Sequence, residues 1–221
     1  MKIRNSTWMM FLFVIGMFGF SLFFYSQLPE QMASHWNARG QVDGYMSKTA
    51  GLLVMPITSL IMAAVLLGLA QIDPLKRNIE KIRGYYNSAI FILLAFLFII
   101  QLHIISWNLG FQIRVNVLMP VMLGMLFFGL GTLMDKLRPN WIIGVRTPWT
   151  LSSPKVWYQT HQWAGLLFKI AACVVLLCVL WSDFAIYFVL APILSVSVLV
   201  MVLSYYFYRC EKREKATRSV V

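Results

Sequence analysis

Six apolar runs constrain this chain more than any other feature. They occupy residues 8–25, 51–70, 86–107, 117–134, 161–181 and 184–208. A hydrocarbon core of about 30 Å needs about 20 helical residues at 1.5 Å each, and every run comes close to that length or exceeds it. Hydrophobic residues make up 60% of the chain and charged residues 12%, so one aqueous core cannot hide the apolar surface. The sequence therefore predicts an all-α polytopic membrane protein, a six-transmembrane-helix bundle. The first run follows Lys2 and Arg4. It is longer than a signal-peptide core and no small-x-small cleavage site follows it, so it reads as a retained helix.

The net charge of +11 raises the question of nucleic acid. The distribution argues against direct nucleic-acid binding. Of nineteen Lys and Arg, fifteen fall in the terminal and connecting segments on one side of the six runs, and three on the other: Arg39, Lys48 and Arg114. Short basic clusters at the ends of apolar runs set topology and contact anionic lipids. The bias predicts a plasma-membrane protein with the N-terminus and C-terminus both cytoplasmic. Ser182 and Asp183 leave so short a turn that the last two runs must be antiparallel neighbours. Pro56, Pro120 and Pro192 should kink their helices; they either open a small outer vestibule or are simply tolerated. Gly124, Gly129 and Gly131 permit close helix contact. Cys173, Cys178 and Cys210 lack CxxC spacing, so no disulfide, metal or cofactor is expected from them.

The longest polar interval dense in Trp, Pro and Arg is residues 140–165, NWIIGVRTPWTLSSPKVWYQTHQWAG. Gly144 lets the backbone turn or approach a neighbour closely. Pro148 fixes its own φ and drives Thr147 towards an extended conformation. Arg146 then stands on a short, stiff, non-helical strip between Trp141 and Trp149, where a guanidinium can meet a carboxylate, a lipid phosphate or an indole. Ser153-Pro154 reads as a helix start, an N-cap followed by Pro at the first helical position. That helix runs through Trp157 and Trp163. The bland alternative for the whole interval is an interfacial anchor.

The long external segment, residues 27–50, carries Glu30, His35 and Asp43 with the turn formers Pro29, Asn37, Gly40 and Gly44. It is either a cap that meets an extracellular ligand through His35, Trp36, Asn37 and Asp43, or a compact loop whose polar residues satisfy its own backbone. His35, Asp43 and His103 have no recognised metal spacing. Lys169 is the single charge deep in an apolar run. It either couples to a ligand or snorkels towards headgroups, with Asp135 as a candidate partner. The chain contains no HExxH, Walker or GxSxG motif, so it is not read as an enzyme.

Two stretches carry a resemblance. GVRTPWTL followed by VW is similar to the C-terminal signature of the SdpI family of bacterial membrane proteins. LPEQMASHWNARGQVDGYMSK, residues 28–48, resembles the DUF1648-type segment often found ahead of it. The resemblance divides the chain into a first helical hairpin, residues 1–72, and a four-helix remainder, residues 73–221. It implies an immunity protein that protects the producing cell from a secreted membrane-active peptide toxin. It also implies a signal transducer that holds a cytosolic winged-helix repressor at the membrane. In that scheme His35, Trp36, Asn37 and Asp43 would meet the toxin. Gly144, Arg146, Thr147, Pro148, Trp149 and Trp157 would form the repressor contact or the signature loop itself. The rival reading, a small-molecule or peptide transporter, would use the Pro kinks and Lys169, but no inverted repeat supports it.

Overall fold

The computed structural model describes residues 5–218; Lys2 and Arg4, which entered the charge argument, lie outside the described residues. The long helices are α1 (Asn5–Phe24), α2 (Lys48–Ile72), α4 (Arg83–Asn108), α5 (Val115–Leu133), α7 (Pro154–Leu177) and α8 (Ala185–Arg218). Two short ones lie between them, α3 (Lys76–Lys81) and α6 (Pro148–Ser152).

Five helical stretches are long and apolar enough to cross a membrane: Ser6–Gln27, Lys48–Ile72, Arg83–Asn108, Val115–Lys136 and Pro154–Arg218. The last, of 65 residues, is not one rod. Trp181 has non-helical φ −138° and ψ 59° inside the 3-10 turn Cys178–Phe184. Its two arms, α7 and α8, return side by side, and Ser153 at the start of α7 meets Glu211 near the end of α8.

The all-α expectation needs one correction. The segment between the first two long helices folds as an antiparallel β-hairpin of β1 (Gln31–Trp36) and β2 (Val42–Ser47). Asn37 builds the turn: its side-chain oxygen accepts from the Arg39 and Gln41 amides, and Gly40 supplies φ +74°. Gly44 faces His35 where the register slips; a Cβ there would stand 2.8 Å from the His35 Cβ. Met32 and Ala33 are both buried, Met32 against Leu52, Ile104 and Ile105. The carboxamide of Asn108, at the end of α4, completes the edge of β1. Its oxygen accepts from the Ala33 amide at 2.8 Å and its nitrogen donates to the Ala33 carbonyl at 3.0 Å.

Helices α1, α2 and α4 close around Met10, Val14, Ala63, Tyr86, Ile90 and Leu94. A polar network ties these three together: Gln101 Nε2 donates to the Met17 carbonyl at 2.9 Å and to Ser21 Oγ at 2.8 Å, and Ser21 donates to the Leu52 carbonyl at 2.7 Å. Helices α5, α7 and α8 form the other group around Trp157, Ala164 and Val200. There α5 and α7 touch through backbone, since a Cβ on Gly165 would lie 2.9 Å from the Gly131 carbonyl oxygen. Gly124 fits under Leu176 of α7, whereas Gly129 faces Ile92 of α4.

The bundle therefore has two distinct ends. One gathers the start of α1, the end of α2 and the starts of α4 and α7: Asn87 donates to Ser6, and Asp73 accepts from the Trp141 amide. The other carries the hairpin, the α4–α5 connection and the α7–α8 turn.

Candidate functional site

The interval 140–165 is built as a lock. Asn140, fully buried, accepts from the Ile142 and Ile143 amides at 2.8 Å each and so turns the chain. Gly144 follows with φ +104°, and a Cβ there would collide with His161 Nε2. The Val145 amide donates to that same Nε2 at 3.0 Å. Because an amide can only donate, Nε2 must present its lone pair, which places the ring proton on Nδ1. Nδ1 then donates to the Trp157 carbonyl at 2.8 Å. The imidazole is neutral with both nitrogens used, and it stacks on Trp157 with centroids 4.0 Å apart. The Trp157 indole N–H donates to the Leu137 carbonyl at 3.0 Å.

Thr147 caps α6 in extended geometry, φ −105° and ψ 161°, with a reciprocal capping box to Thr150. Its hydroxyl also donates to Ser204 on α8 at 3.1 Å. Ser153 caps α7, with Pro154 in its first turn. Glu211, beyond the apolar part of α8, has its carboxyl held below the usual carboxylate range by the Lys215 ammonium and then by the Ser153 hydroxyl. Asp73 and the Asn78 carboxamide pin the α2–α4 connection to Trp141 and Pro139.

At the opposite end, the hairpin leans over α5 and the start of α8. His35, Trp36 and Asn37 line a cavity of about 370 Å³ with Met119, Pro120 and Ile186. Asp43 pairs with His35 across the strands at 2.5 Å and is not among the lining residues. Trp36 rests on His103 and Trp107, with centroids 5.0 and 5.3 Å away.

Residues 12–60 match a domain of unknown function, DUF1648, and residues 136–206 match the SdpI/YfhL protein family. Over 190 residues the chain is 23% identical to the Immunity protein SdpI of Bacillus subtilis (strain 168), covering 86% of this chain and 89% of that protein. The resemblance to the SdpI family is borne out. No solved structure matches the chain.

The structure sorts the SdpI-type residues into two kinds. Arg146 and Pro148 are exposed, while Gly144, Thr147 and Trp149 are half-buried. Arg146 Nη1 donates to the Trp141 carbonyl at 2.6 Å, so the strip over residues 141–147 is tied to itself. One expectation changes. Pro148 and Trp149 lie in α6 rather than on a non-helical strip, and Trp149 rests on Tyr205 at 5.1 Å. Trp157 is fully buried, stacked on His161 and bonded to the Leu137 carbonyl, within the signature.

Among the expected hairpin contacts, Asn37 spends its side-chain oxygen on its own turn, as the compact-loop reading held. Asp135 is not the partner of Lys169. The helix ends at Leu133, and Asp135 sits in a 3-10 turn paired with Lys136 at 2.8 Å. Lys169 is half-buried with its stem against Gly131, and it makes no hydrogen bond or ion pair among the described residues. Of the three helix prolines, Pro120 lines the cavity under the hairpin, Pro192 lines a groove between α7 and α8, and Pro56 is buried.

Sequence reasoning missed His161, Asn140, Asn108 and Gln101. The one available signal for His161 was its spacing four residues after Trp157, which stacks two rings on one helix face.

Proposed function

We propose that this protein is an immunity protein of the bacterial plasma membrane, one that protects its own cell from a secreted membrane-active peptide toxin. The similarity to the Immunity protein SdpI over most of both chains carries this reading. In it, six helices span the membrane, with the last 65-residue stretch counted as two, and both termini are cytoplasmic. The fifteen-to-three bias in Lys and Arg supports that orientation. The hairpin end then faces outward to meet the toxin, and the 140–165 lock faces the cytosol.

The second part of the proposal is signalling without catalysis. The exposed Arg146 and Pro148, set on a scaffold fixed by Trp157, His161 and Thr147, offer a rigid basic contact for an acidic surface of a winged-helix repressor. Anionic lipids would meet the basic connections at the same end.

The test is survival. Cells lacking the protein should lose viability in their own spent medium, and re-expression should restore it. Equal survival of both strains, with membrane insertion verified in the expressing one, overturns the immunity reading.

A further inference from the structure

The hairpin end holds a second, polar cavity beside the apolar one. Arg39, Gln41, Gln112, Arg114, Ser182 and Asp183 line it, with a volume of about 470 Å³. Asn116 belongs to both cavities and donates to the Ala38 carbonyl at 3.2 Å, stapling the hairpin turn to the start of α5. The two spaces therefore meet at one side chain. Among the described residues, neither Arg39 nor Arg114 makes a side-chain hydrogen bond or ion pair, although Asp183 stands on the same rim. Below them the apolar cavity runs along α5 from Val115 to Leu123, eight residues or about 12 Å.

We propose that this end binds one glycerophospholipid, with its phosphate between Arg39 and Arg114 and an acyl chain in the slot along Met119, Leu123, Ile186 and Val189. Two guanidiniums at one mouth, each with unspent donors, match a phosphate geometry. The slot distinguishes a lipid tail from a peptide. The wall that α5 and α8 give it, Met119, Pro120, Leu123, Ile186 and Val189, is aliphatic, so a peptide backbone along it would lose its hydrogen bonds, whereas a hydrocarbon chain has none to lose. A rim charge of two cations and one anion favours phosphate and leaves Asp183 as the group that limits affinity for anionic headgroups. The cavity shares His35, Trp36 and Asn37 with the proposed toxin contact, but its test stands apart from the immunity reading: it is read on purified protein, and immunity is read in cells.

The experiment is native mass spectrometry of the full chain in detergent, titrated with dioctanoyl-phosphatidylglycerol. Parallel titrations use dioctanoylglycerol, which has tails without phosphate, and inorganic phosphate, which lacks tails. The expected result is one tightly held phosphatidylglycerol, with neither fragment binding comparably. Arg39→Gln/Arg114→Gln should weaken it at least about tenfold, from the loss of two charge-assisted contacts. Both arginines are exposed, so this variant should keep its monodispersity. Leu123→Trp should block the slot and lower phosphatidylglycerol binding with the arginines intact. Asp183→Asn should hold or raise it. Unchanged phosphatidylglycerol binding in the double arginine variant overturns the proposal. So does equally strong binding of either fragment alone, inorganic phosphate implicating a free anion and dioctanoylglycerol a tail-only groove.

Discussion

Gly144→Ala should unlock the 140–165 interval. The native residue has φ +104°, and its missing Cβ leaves room for His161 Nε2. Alanine at this φ costs about 1–3 kcal/mol. The backbone must also withdraw from the imidazole, which breaks the Val145 amide bond of 3.0 Å and removes about 0.5–1.5 kcal/mol more. The sum, roughly 1.5–4.5 kcal/mol, corresponds to local opening that is roughly tenfold to a thousandfold more frequent. Amide hydrogen exchange of the peptide containing Val145 measures this directly. Peptides from the middle of α4 should stay unchanged and serve as the internal standard. A second variant separates the two causes. With His161→Ala in place the clash with the imidazole disappears and only the flexible end of Leu137 stays close, so adding Gly144→Ala should cost little beyond the backbone strain, and the two substitutions should be clearly non-additive. Wild-type exchange at Val145 in Gly144→Ala would refute the account of the lock.

Three further outcomes are expected. In a cysteine-free background, single cysteines at Gln41 and Ser152, both exposed, should differ in intact cells: an impermeant thiol reagent labels the first and not the second, and labelling of Ser152 would reverse the orientation. Lys169→Met keeps the stem against Gly131 and removes the ammonium; protein yield should hold or rise, and a simultaneous loss of protection would show that the charge couples to the ligand rather than only snorkelling. Arg146→Ala should weaken repressor recruitment by roughly ten- to a hundredfold, from a contact of about 1.5–3 kcal/mol, while survival against toxin stays intact; Arg146→Lys should not rescue recruitment, since it loses the planar fork. Loss of recruitment and survival together, at normal protein level, would place the loop in a common core instead.

The sequence by itself determined what depends on near neighbours. Apolar length set the helices, because a run of about twenty such residues has no better place than lipid. Local sterics set Thr147 extended before Pro148 and the Ser153-Pro154 start of α7, both readable within a few residues. Gly144 was legible as a turn or close approach, but not what it approaches. That neighbour, His161, is seventeen positions away and comes within reach only when α7 folds back on the strip.

Tertiary structure decided everything of longer reach. The hairpin escaped a simple inside-outside alternation because Met32 and Ala33, on opposite faces of β1, are both covered by the rest of the fold. Its edge is satisfied by Asn108, seventy-five residues on. Gln101 looks like one polar residue in an apolar run until α1 and α2 bring the Met17 carbonyl and Ser21 to it. Asp135 was matched to Lys169 by shared proximity to one membrane face. Termination of α5 at Leu133 turned it to Lys136 instead, because a helix end redirects its side chains and no sequence spacing records that.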